Sequence, residues 1–266
     1  MSSRIDEAFA AVAERQETAL VTYLTAGYPT PAETVGLIRA AAEGGADVIE
    51  LGVPFSDPMG DGPVIQEAGQ VALEAGTTLP LVLELVGQAR RDGIRTPIAL
   101  MGYFNPFLRY GLPRLVVDAG AAGVDGLIIP DLPAHSAAAL ARHAVDAGLS
   151  TVFFASPGSR PERVRQTASM STGFLYCLAA DGATGEREEL DHRLEDYLAL
   201  VRSVSDIPLA VGFGISTPEH VRALRDHADG VIVGSALLRR IAEAPDAAGR
   251  RSALRKLVTE LKAATR

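Results

Sequence analysis

The sequence has little of several features, and each shortage excludes a class of protein. Cys177 is the one cysteine among 266 residues, so no internal disulfide can form, and its place in an apolar run indicates core packing in a reducing compartment. No apolar stretch reaches the roughly 18 residues of a transmembrane helix. The first residues mix charged and apolar side chains and lack the apolar core of a signal peptide. We therefore expect a cytoplasmic protein.

Lysine is nearly absent, because all but two of the 25 basic residues are arginine. The two lysines, Lys256 and Lys262, fall in the last helical segment. An aldolase that forms a Schiff base needs an amine inside its pocket, so that chemistry is not expected. The basic residues form no dense run and the net charge is −8, so nucleic acid is not an expected partner either.

Signals for metals and cofactors are also missing. The five histidines lie in helical or post-loop segments and none follows a strand directly. A histidine-ligated metal is therefore not expected, although a carboxylate-bound Mg²⁺ stays open. There is neither a P-loop motif nor a Rossmann glycine triplet, so we expect no nucleotide cofactor.

Eight short apolar runs recur along the chain, and each ends in Gly, Pro or Asp. They cover residues 19–27, 46–55, 96–104, 124–133, 150–158, 173–182, 207–216 and 228–236. Runs of this kind are typical of buried parallel strands, and segments with helical periodicity lie between them. The alternation predicts a (β/α)8 TIM barrel, with a doubly wound open sheet as the alternative.

The whole chain, residues 1–266, is predicted to be a single domain, because no linker or low-complexity segment interrupts it. An extra N-terminal helix over about residues 3–15 would cover the bottom of the barrel. A closing helix over 250–264 would turn Leu254, Leu257, Val258 and Leu261 inward. Three strands are preceded by similar segments that contain an Ala-Asp or Val-Asp pair (in GGADVIE, AAGVDGL and DHADGVI), which reflects the repeating plan of the barrel.

Glu50, in the second apolar run, is the first candidate for chemistry. Successive residues of a strand face opposite sides, so Val48, Glu50 and Gly52 share one face, which we expect to be the barrel interior. A buried carboxylate is unfavourable by several kcal/mol unless it is paired or used. Either an arginine pairs with Glu50 in the core, or Glu50 works at the C-terminal end of the strands, where barrel enzymes place their active sites.

Two more acids, Asp57 and Asp61, follow in the long loop after that strand. Both residues could be ordinary turn residues, because Asp-Pro and Asp-Gly are common in turns. Asp61 is the stronger functional candidate, since this loop starts at the strand that carries Glu50 and can fold back over it.

The loops after the seventh and eighth strands, GFGIST (212–217) and GSAL (234–237), have the composition of a phosphate site. Glycines let backbone N–H groups approach an anion, and a helix N-terminus adds positive potential, although the glycines could also serve tight turns. Barrels often bind phosphate at these two loops, which indicates a substrate class and not a reaction. The loop after the sixth strand, residues 179–189, is a candidate lid.

Residues 49–62, IELGVPFSDPMGDG, resemble the signature of the tryptophan synthase alpha chain family almost position for position. Other similar stretches follow in order along nearly the whole chain: LTAGYPT (24–30), MGYFNPF (101–107), GLIIPDLP (126–133), FFASPGS (153–159), GFGIS (212–216) and GSAL (234–237).

The resemblance implies a lyase of tryptophan biosynthesis that cleaves indole-3-glycerol phosphate to indole and glyceraldehyde 3-phosphate without a cofactor. In such an enzyme Glu50 would be the general acid/base that moves protons between the glycerol hydroxyl and indole C3. Asp61 would accept a hydrogen bond from the indole N–H and stabilise the positive charge that develops there. A protonated indole is a suitable electron sink where no lysine is available.

Further roles are implied by the matching positions. The phosphate would lie on Gly214, Gly234 and Ser235, with Thr184, Gly185 and Phe213 nearby, while Tyr23, Met101 and Tyr176 would line the indole pocket. The family works with a beta subunit, in an α2β2 heterotetramer, that receives indole through a tunnel. Positions that resemble its docking surface are Pro54, Asp57, Asn105, Pro106 and Pro133.

One segment departs from the family pattern, which usually has a polar pair such as Ser-Arg before Gly-Val-Thr-Gly. Here residues 179–185 read AADGATG, so Thr184 and Gly185 are kept while the arginine and valine are not. The departure bears on lid closure and on communication with a beta subunit.

Three alternatives follow from these observations. One is a stand-alone lyase that supplies free indole to another pathway. Another is a phosphosugar isomerase or epimerase, for which Asp131 is the obvious second acid/base. The last is a weakly catalytic subunit that mainly activates a partner.

Overall fold

The computed structural model of the chain describes residues 3–179, 193–212 and 214–266. Within these ranges nine short parallel strands form one sheet: β1 (Ala19–Thr25), β2 (Val48–Gly52), β3 (Ile98–Met101), β4 (Gly126–Ile128), β5 (Ser150–Val152), β6 (Phe154–Ala155), β7 (Leu175–Leu178), β8 (Leu209–Gly212) and β9 (Gly230–Val233). Their order is β5-β4-β3-β2-β1-β9-β8-β7-β6.

The two strands at the ends of this order are consecutive in the chain, which closes the sheet. β5 pairs with β4, β6 pairs with β7, and Phe153 alone separates them. The predicted fifth strand is thus one strand in two segments, and all eight predicted strands are present. The (β/α)8 barrel is confirmed, and the open doubly wound sheet is wrong.

Helices lie between the strands and at both ends of the chain. They are α1 (Arg4–Glu14), α2 (Thr34–Gly44), α3 (Pro63–Glu74), α4 (Leu79–Arg91), α5 (Phe104–Tyr110), α6 (Leu112–Ala122), α7 (Ala138–Asp146), α8 (Pro161–Met170), α9 (Arg193–Val204), α10 (Pro218–Leu224), α11 (Ser235–Glu243) and α12 (Ala247–Ala263). Among the described residues, none of the helices has the length and apolar character needed to span a membrane.

The extra N-terminal helix is confirmed and covers the N-terminal end of the barrel. Ser3 caps α1 through a reciprocal pair of hydrogen bonds with Asp6, which satisfies two backbone N–H groups. Phe9 is buried, and its ring lies 5.3 Å from that of Phe174 at the base of β7. At the other end of the chain, the four residues predicted to face inward on α12 are all buried.

The acids of the three Ala-Asp and Val-Asp segments, which we name the basal acids, lie at this N-terminal end of the barrel. Each accepts a hydrogen bond of 2.7 Å from an N–H at the start of a neighbouring strand: Asp47 from Leu20, Asp125 from Ile98 and Asp229 from Leu209. Each also pairs with a cation: Asp47 with Lys262 at 2.8 Å, Asp125 with Arg90 at 2.6 Å and Asp229 with Arg202 at 2.6 Å. The basal acids therefore join strands to their neighbours with their charges compensated.

Candidate active site

Glu50 lies in the middle of β2 with its side chain inside the barrel and is 0% exposed. Its register partner on β1 is Tyr23. Neither carboxylate oxygen has a hydrogen-bond partner among the described residues, and no arginine of these residues pairs with Glu50, as a core ion pair would require. Burial raises the pKa of Glu50 to about 8, and the charge of Asp61 contributes to the same shift.

Asp61 is brought to the same place by the loop after β2, which folds back over the end of the barrel. The side chain is buried, with 8% exposure. Burial raises the pKa of Asp61 to about 6, although a hydrogen bond from Tyr103 opposes this shift. Glu50 and Asp61 interact electrostatically, and we name them the mouth acids.

The mouth acids differ in the protonation state that the barrel favours. With pKa values of about 8 and about 6, Glu50 holds a proton at pH 7 while Asp61 is mostly ionised. A proton donor next to a fixed negative charge is the arrangement that acid-catalysed cleavage with a developing cation requires. Within the described residues, no group of three His, Cys, Asp or Glu side chains could hold a metal ion.

Two tyrosines of the predicted indole pocket lie beside the mouth acids. Tyr23 and Tyr176 are buried; this burial raises the pKa of each phenol, and the negative charges of the mouth acids add to the shift. Two glycines, Gly52 and Gly212, leave space for the hydroxyls of these tyrosines. A Cβ on Gly52 would lie 2.2 Å from the Tyr23 Oη, and one on Gly212 would lie 2.5 Å from the Tyr176 Oη.

Met101, the third predicted wall residue, ends β3 and is buried. It is the register partner of Gly52, so its side chain faces the barrel interior on the same side as Glu50. The structure therefore brings Glu50, Asp61, Tyr23, Tyr176 and Met101 to one end of the barrel.

The predicted phosphate loops follow β8 and β9, which are neighbours in the sheet. Gly214 has a φ of 98°, a left-handed conformation that favours glycine. Gly234 precedes Ser235, the first residue of α11, and a Cβ on Gly234 would lie 3.2 Å from the Tyr23 Cβ. A helix N-terminus thus opens next to the tyrosine wall, where it can attract an anion.

Three predicted binding residues, Thr184, Gly185 and Phe213, lie outside the described residues. So does the candidate lid over 179–189, apart from Ala179. Their roles stay predictions.

The positions predicted to contact a partner follow three neighbouring strands, β2, β3 and β4: Pro54 and Asp57 lie in the loop after β2, Asn105 and Pro106 in the first turn of α5, and Pro133 after β4. Asp57, Asn105 and Pro133 are exposed, Pro106 is half-buried, and Pro54 is buried at the start of its loop.

Sequence reasoning missed Tyr103, which follows β3 and contacts Asp61. The available signal was its position directly after an apolar strand, in the stretch MGYFNPF (101–107) that the resemblance had already picked out. An aromatic residue there is also compatible with packing, so its hydrogen bonds only became visible in the structure.

Comparisons with known proteins bear on the family of the chain. Residues 9–266 match the family described as tryptophan synthase alpha chain. The chain is 47% identical to the tryptophan synthase alpha chain of Solibacter usitatus over 264 residues, or 98% of this chain and 97% of that one. It is 42% identical to tryptophan synthase of Saccharomyces cerevisiae over 92% of this chain and 35% of that one.

Solved structures give the same result. A structure of Mycobacterium tuberculosis tryptophan synthase superposes with a TM-score of 0.91 and 36% identity over 100% of this chain and 99% of that one. The tryptophan synthase alpha chain from Legionella pneumophila subsp. pneumophila superposes with a TM-score of 0.90 and 36% identity, over 100% of this chain and 98% of that one. The chain belongs to the tryptophan synthase alpha chain family.

Proposed function

We propose that this chain cleaves indole-3-glycerol phosphate to indole and glyceraldehyde 3-phosphate as the alpha subunit of a tryptophan synthase. The observation that carries the proposal is the pair of mouth acids, one protonated and one ionised at neutral pH, inside a barrel end walled by tyrosines. Family membership supplies the substrate, and the pair of acids supplies the chemistry.

The first step is proton transfer from Glu50 to C3 of the indole. This makes the ring nitrogen part of an iminium, and Asp61 stabilises that positive charge by accepting a hydrogen bond from the N–H. Because Asp61 is buried, its charge is screened less than it would be in water and acts more strongly on the cation.

The second step returns the proton. Glu50, now a carboxylate, removes the proton from the glycerol hydroxyl on the carbon attached to C3. The carbon–carbon bond breaks, its electrons neutralise the iminium, and the aldehyde of glyceraldehyde 3-phosphate forms. Glu50 ends in its starting state, so no cofactor or metal is needed for the balance.

Substrate binding follows from the walls of the same site. Tyr23, Met101 and Tyr176 hold the indole, while Gly214, Gly234 and Ser235 hold the phosphate at the N-terminus of α11. Thr184, Gly185 and Phe213 complete the phosphate end.

The partner that fits this chain is a tryptophan synthase beta subunit, in an α2β2 assembly, that takes up the indole. Besides Pro54, Asp57, Asn105, Pro106 and Pro133, the same region exposes two large apolar side chains, Met59 at 84% in the loop after β2 and Leu108 at 52% in α5. Exposed apolar residues in neighbouring segments are typical of an interaction surface.

The expected location of the protein is the cytoplasm, which suits both the buried free thiol of Cys177 and the biosynthetic reaction.

The test is indole release from indole-3-glycerol phosphate by the purified chain, with and without a beta subunit. Glu50→Gln should bind substrate yet lose roughly 10³-fold or more in kcat, as expected for loss of a general acid/base. A variant that keeps normal turnover would remove the role given to Glu50. An unchanged rate on adding a beta subunit would favour the stand-alone lyase, and background turnover with tight beta-subunit binding would favour the regulatory subunit.

The isomerase or epimerase alternative is tested by comparing Asp131→Asn with Glu50→Gln, with phosphosugar isomerisation assayed alongside indole release. Asp131 is exposed and accepts a hydrogen bond of 2.8 Å from the Phe104 N–H at the start of α5, so it already has a structural role. We expect this variant to keep most of its activity. Loss of activity in Asp131→Asn together with full activity in Glu50→Gln would favour the isomerase.

A further inference from the structure

Tyr103 lies between the end of β3 and the loop that carries Asp61, and it is 5% exposed. Its ring centroid is 5.5 Å from that of Phe55 in the same loop. The Gly60 N–H donates to the Tyr103 hydroxyl at 2.9 Å. The hydroxyl also forms a hydrogen bond with the Asp61 side chain.

The direction of these two hydrogen bonds is fixed by proton count. A phenol has one proton to donate and lone pairs to accept. Because the Gly60 amide can only donate, the Tyr103 hydroxyl accepts there and its own proton points to the Asp61 carboxylate. The bond to Asp61 therefore favours the ionised carboxylate and restricts its orientation.

A second contact holds the same loop in a different way. Gln66 on α3 donates from its side-chain amide to the backbone carbonyl of Asp61 at 2.8 Å and to that of Pro58 at 3.4 Å. Gln66 thus fixes the backbone at Asp61, while Tyr103 contacts its charged side chain. Substituting Gln66 therefore tests how the loop backbone is anchored, and substituting Tyr103 tests how the carboxylate is positioned.

We propose that Tyr103 is a positioning residue that holds the Asp61 carboxylate, through a hydrogen bond oriented by the Gly60 amide, in the place where the indole N–H must meet it. The inference rests on the proposed function, since it deepens the role of Asp61 in that reaction. It assigns no proton transfer to Tyr103, which acts through Asp61.

Tyr103→Phe tests the inference because it removes the hydroxyl and keeps the ring against Phe55. We expect kcat/KM for indole-3-glycerol phosphate to fall roughly 10- to 100-fold, the usual effect of losing a hydrogen bond to a charged group. The loss should fall mainly on kcat, since the charge of Asp61 matters most when the ring becomes cationic. The acid limb of the pH profile should move to higher pH, because the ionised form of Asp61 has lost a donor.

The matched controls come from the same chain. Tyr110→Phe removes a hydroxyl that also donates to a carboxylate, that of Asp118, outside the barrel mouth, and should leave kcat/KM and the pH profile unchanged. Gln66→Ala loosens the same loop without touching the Asp61 carboxylate, so its acid limb should stay where it is. In an Asp61→Asn background, Tyr103→Phe should change kcat by less than about twofold, because the group through which it acts is gone.

A Tyr103→Phe variant with wild-type kcat and an unmoved acid limb would overturn the proposal. So would an equal loss of activity with and without Asp61. Titration of the Asp61 carboxyl by ¹³C NMR in the folded wild type and in Tyr103→Phe separates this failure from that of the proposed function. If the wild type releases no indole, the function is wrong, while a higher Asp61 pKa in the variant still supports the hydrogen bond.

Discussion

The two ends of the barrel use the same residue types for opposite purposes. At the N-terminal end, each basal acid accepts a backbone N–H and pairs with an arginine or lysine. At the C-terminal end, within the part of the chain that the structure describes, Glu50 has no hydrogen-bond partner and Asp61 lies beside it without a paired cation. Removing a compensated carboxylate leaves its buried cation unpaired and destabilises the fold, whereas an uncompensated carboxylate keeps an altered pKa that chemistry can use.

The largest change in the free energy of unfolding is expected at the N-terminal end of the barrel, from the substitution Asp125→Asn. Asp125 compensates Arg90, whose side chain is 13% exposed, and also contacts Arg4. Removing its charge leaves a mostly buried guanidinium without a counterion, which should lower the free energy of unfolding by about 3–5 kcal/mol. Urea denaturation monitored by circular dichroism measures this change.

The matched control is Arg114→Ala, which breaks the exposed pair with Asp118 and should change the free energy of unfolding by less than about 1 kcal/mol. Equal effects in the two variants would mean that burial does not distinguish these ion pairs.

The next largest effect is expected at the C-terminal end, where a substitution should increase the free energy of unfolding instead of lowering it. The folded state raises the pKa of Glu50 from 4.5 to about 8, so folding favours the neutral acid. The buried Glu50 carboxyl therefore destabilises the folded state as pH rises: this destabilisation is absent below pH 4.5, grows between pH 4.5 and pH 8 and is complete above pH 8. Glu50→Gln cannot ionise, so its free energy of unfolding should rise relative to the wild type by about 3 kcal/mol between pH 4.5 and pH 7.

Thermal and urea unfolding at both pH values test this prediction. Glu84→Gln, on the exposed surface of α4, is the control and should show the same small difference from the wild type at both. If Glu50→Gln gains no relative stability as pH rises, Glu50 is not held neutral by burial.

The smallest effect concerns the pH dependence of kcat/KM. Below about pH 6 Asp61 becomes protonated and loses the charge that stabilises the cation, while above about pH 8 Glu50 loses the proton it donates. We expect a bell-shaped profile that falls roughly tenfold per pH unit outside these limits. The acid limb should disappear in Asp61→Asn and the alkaline limb should remain; loss of both limbs would mean that the two acids do not titrate as separate groups.

Much of the fold could be predicted because its signals are local. Eight apolar runs bounded by Gly, Pro or Asp gave the strands, and the apolar spacing around Leu254 and Leu261 gave the face of α12 that is buried. The division of the fifth strand at Phe153 could not be predicted, since it depends on which strand each half meets when the barrel closes.

The candidate site was predictable to a different degree for each residue. Glu50 stands out because a carboxylate in an apolar strand is unfavourable unless it is used. Asp61 was ambiguous, because Asp-Gly serves turns equally well. The only signal for Tyr103 was its position directly after a strand, which an aromatic residue that merely packs would share.

By itself, the sequence determined the strand and helix pattern, the inward face of Glu50 and the absence of a lysine for Schiff-base chemistry, because these depend on residue type and on local periodicity. Tertiary structure alone decided that no arginine among the described residues pairs with Glu50, that Asp61 folds back beside it and that Tyr103 lies against the loop that carries Asp61. These are contacts between distant segments, and a pKa depends on burial and neighbouring charges, which exist only once the barrel has closed.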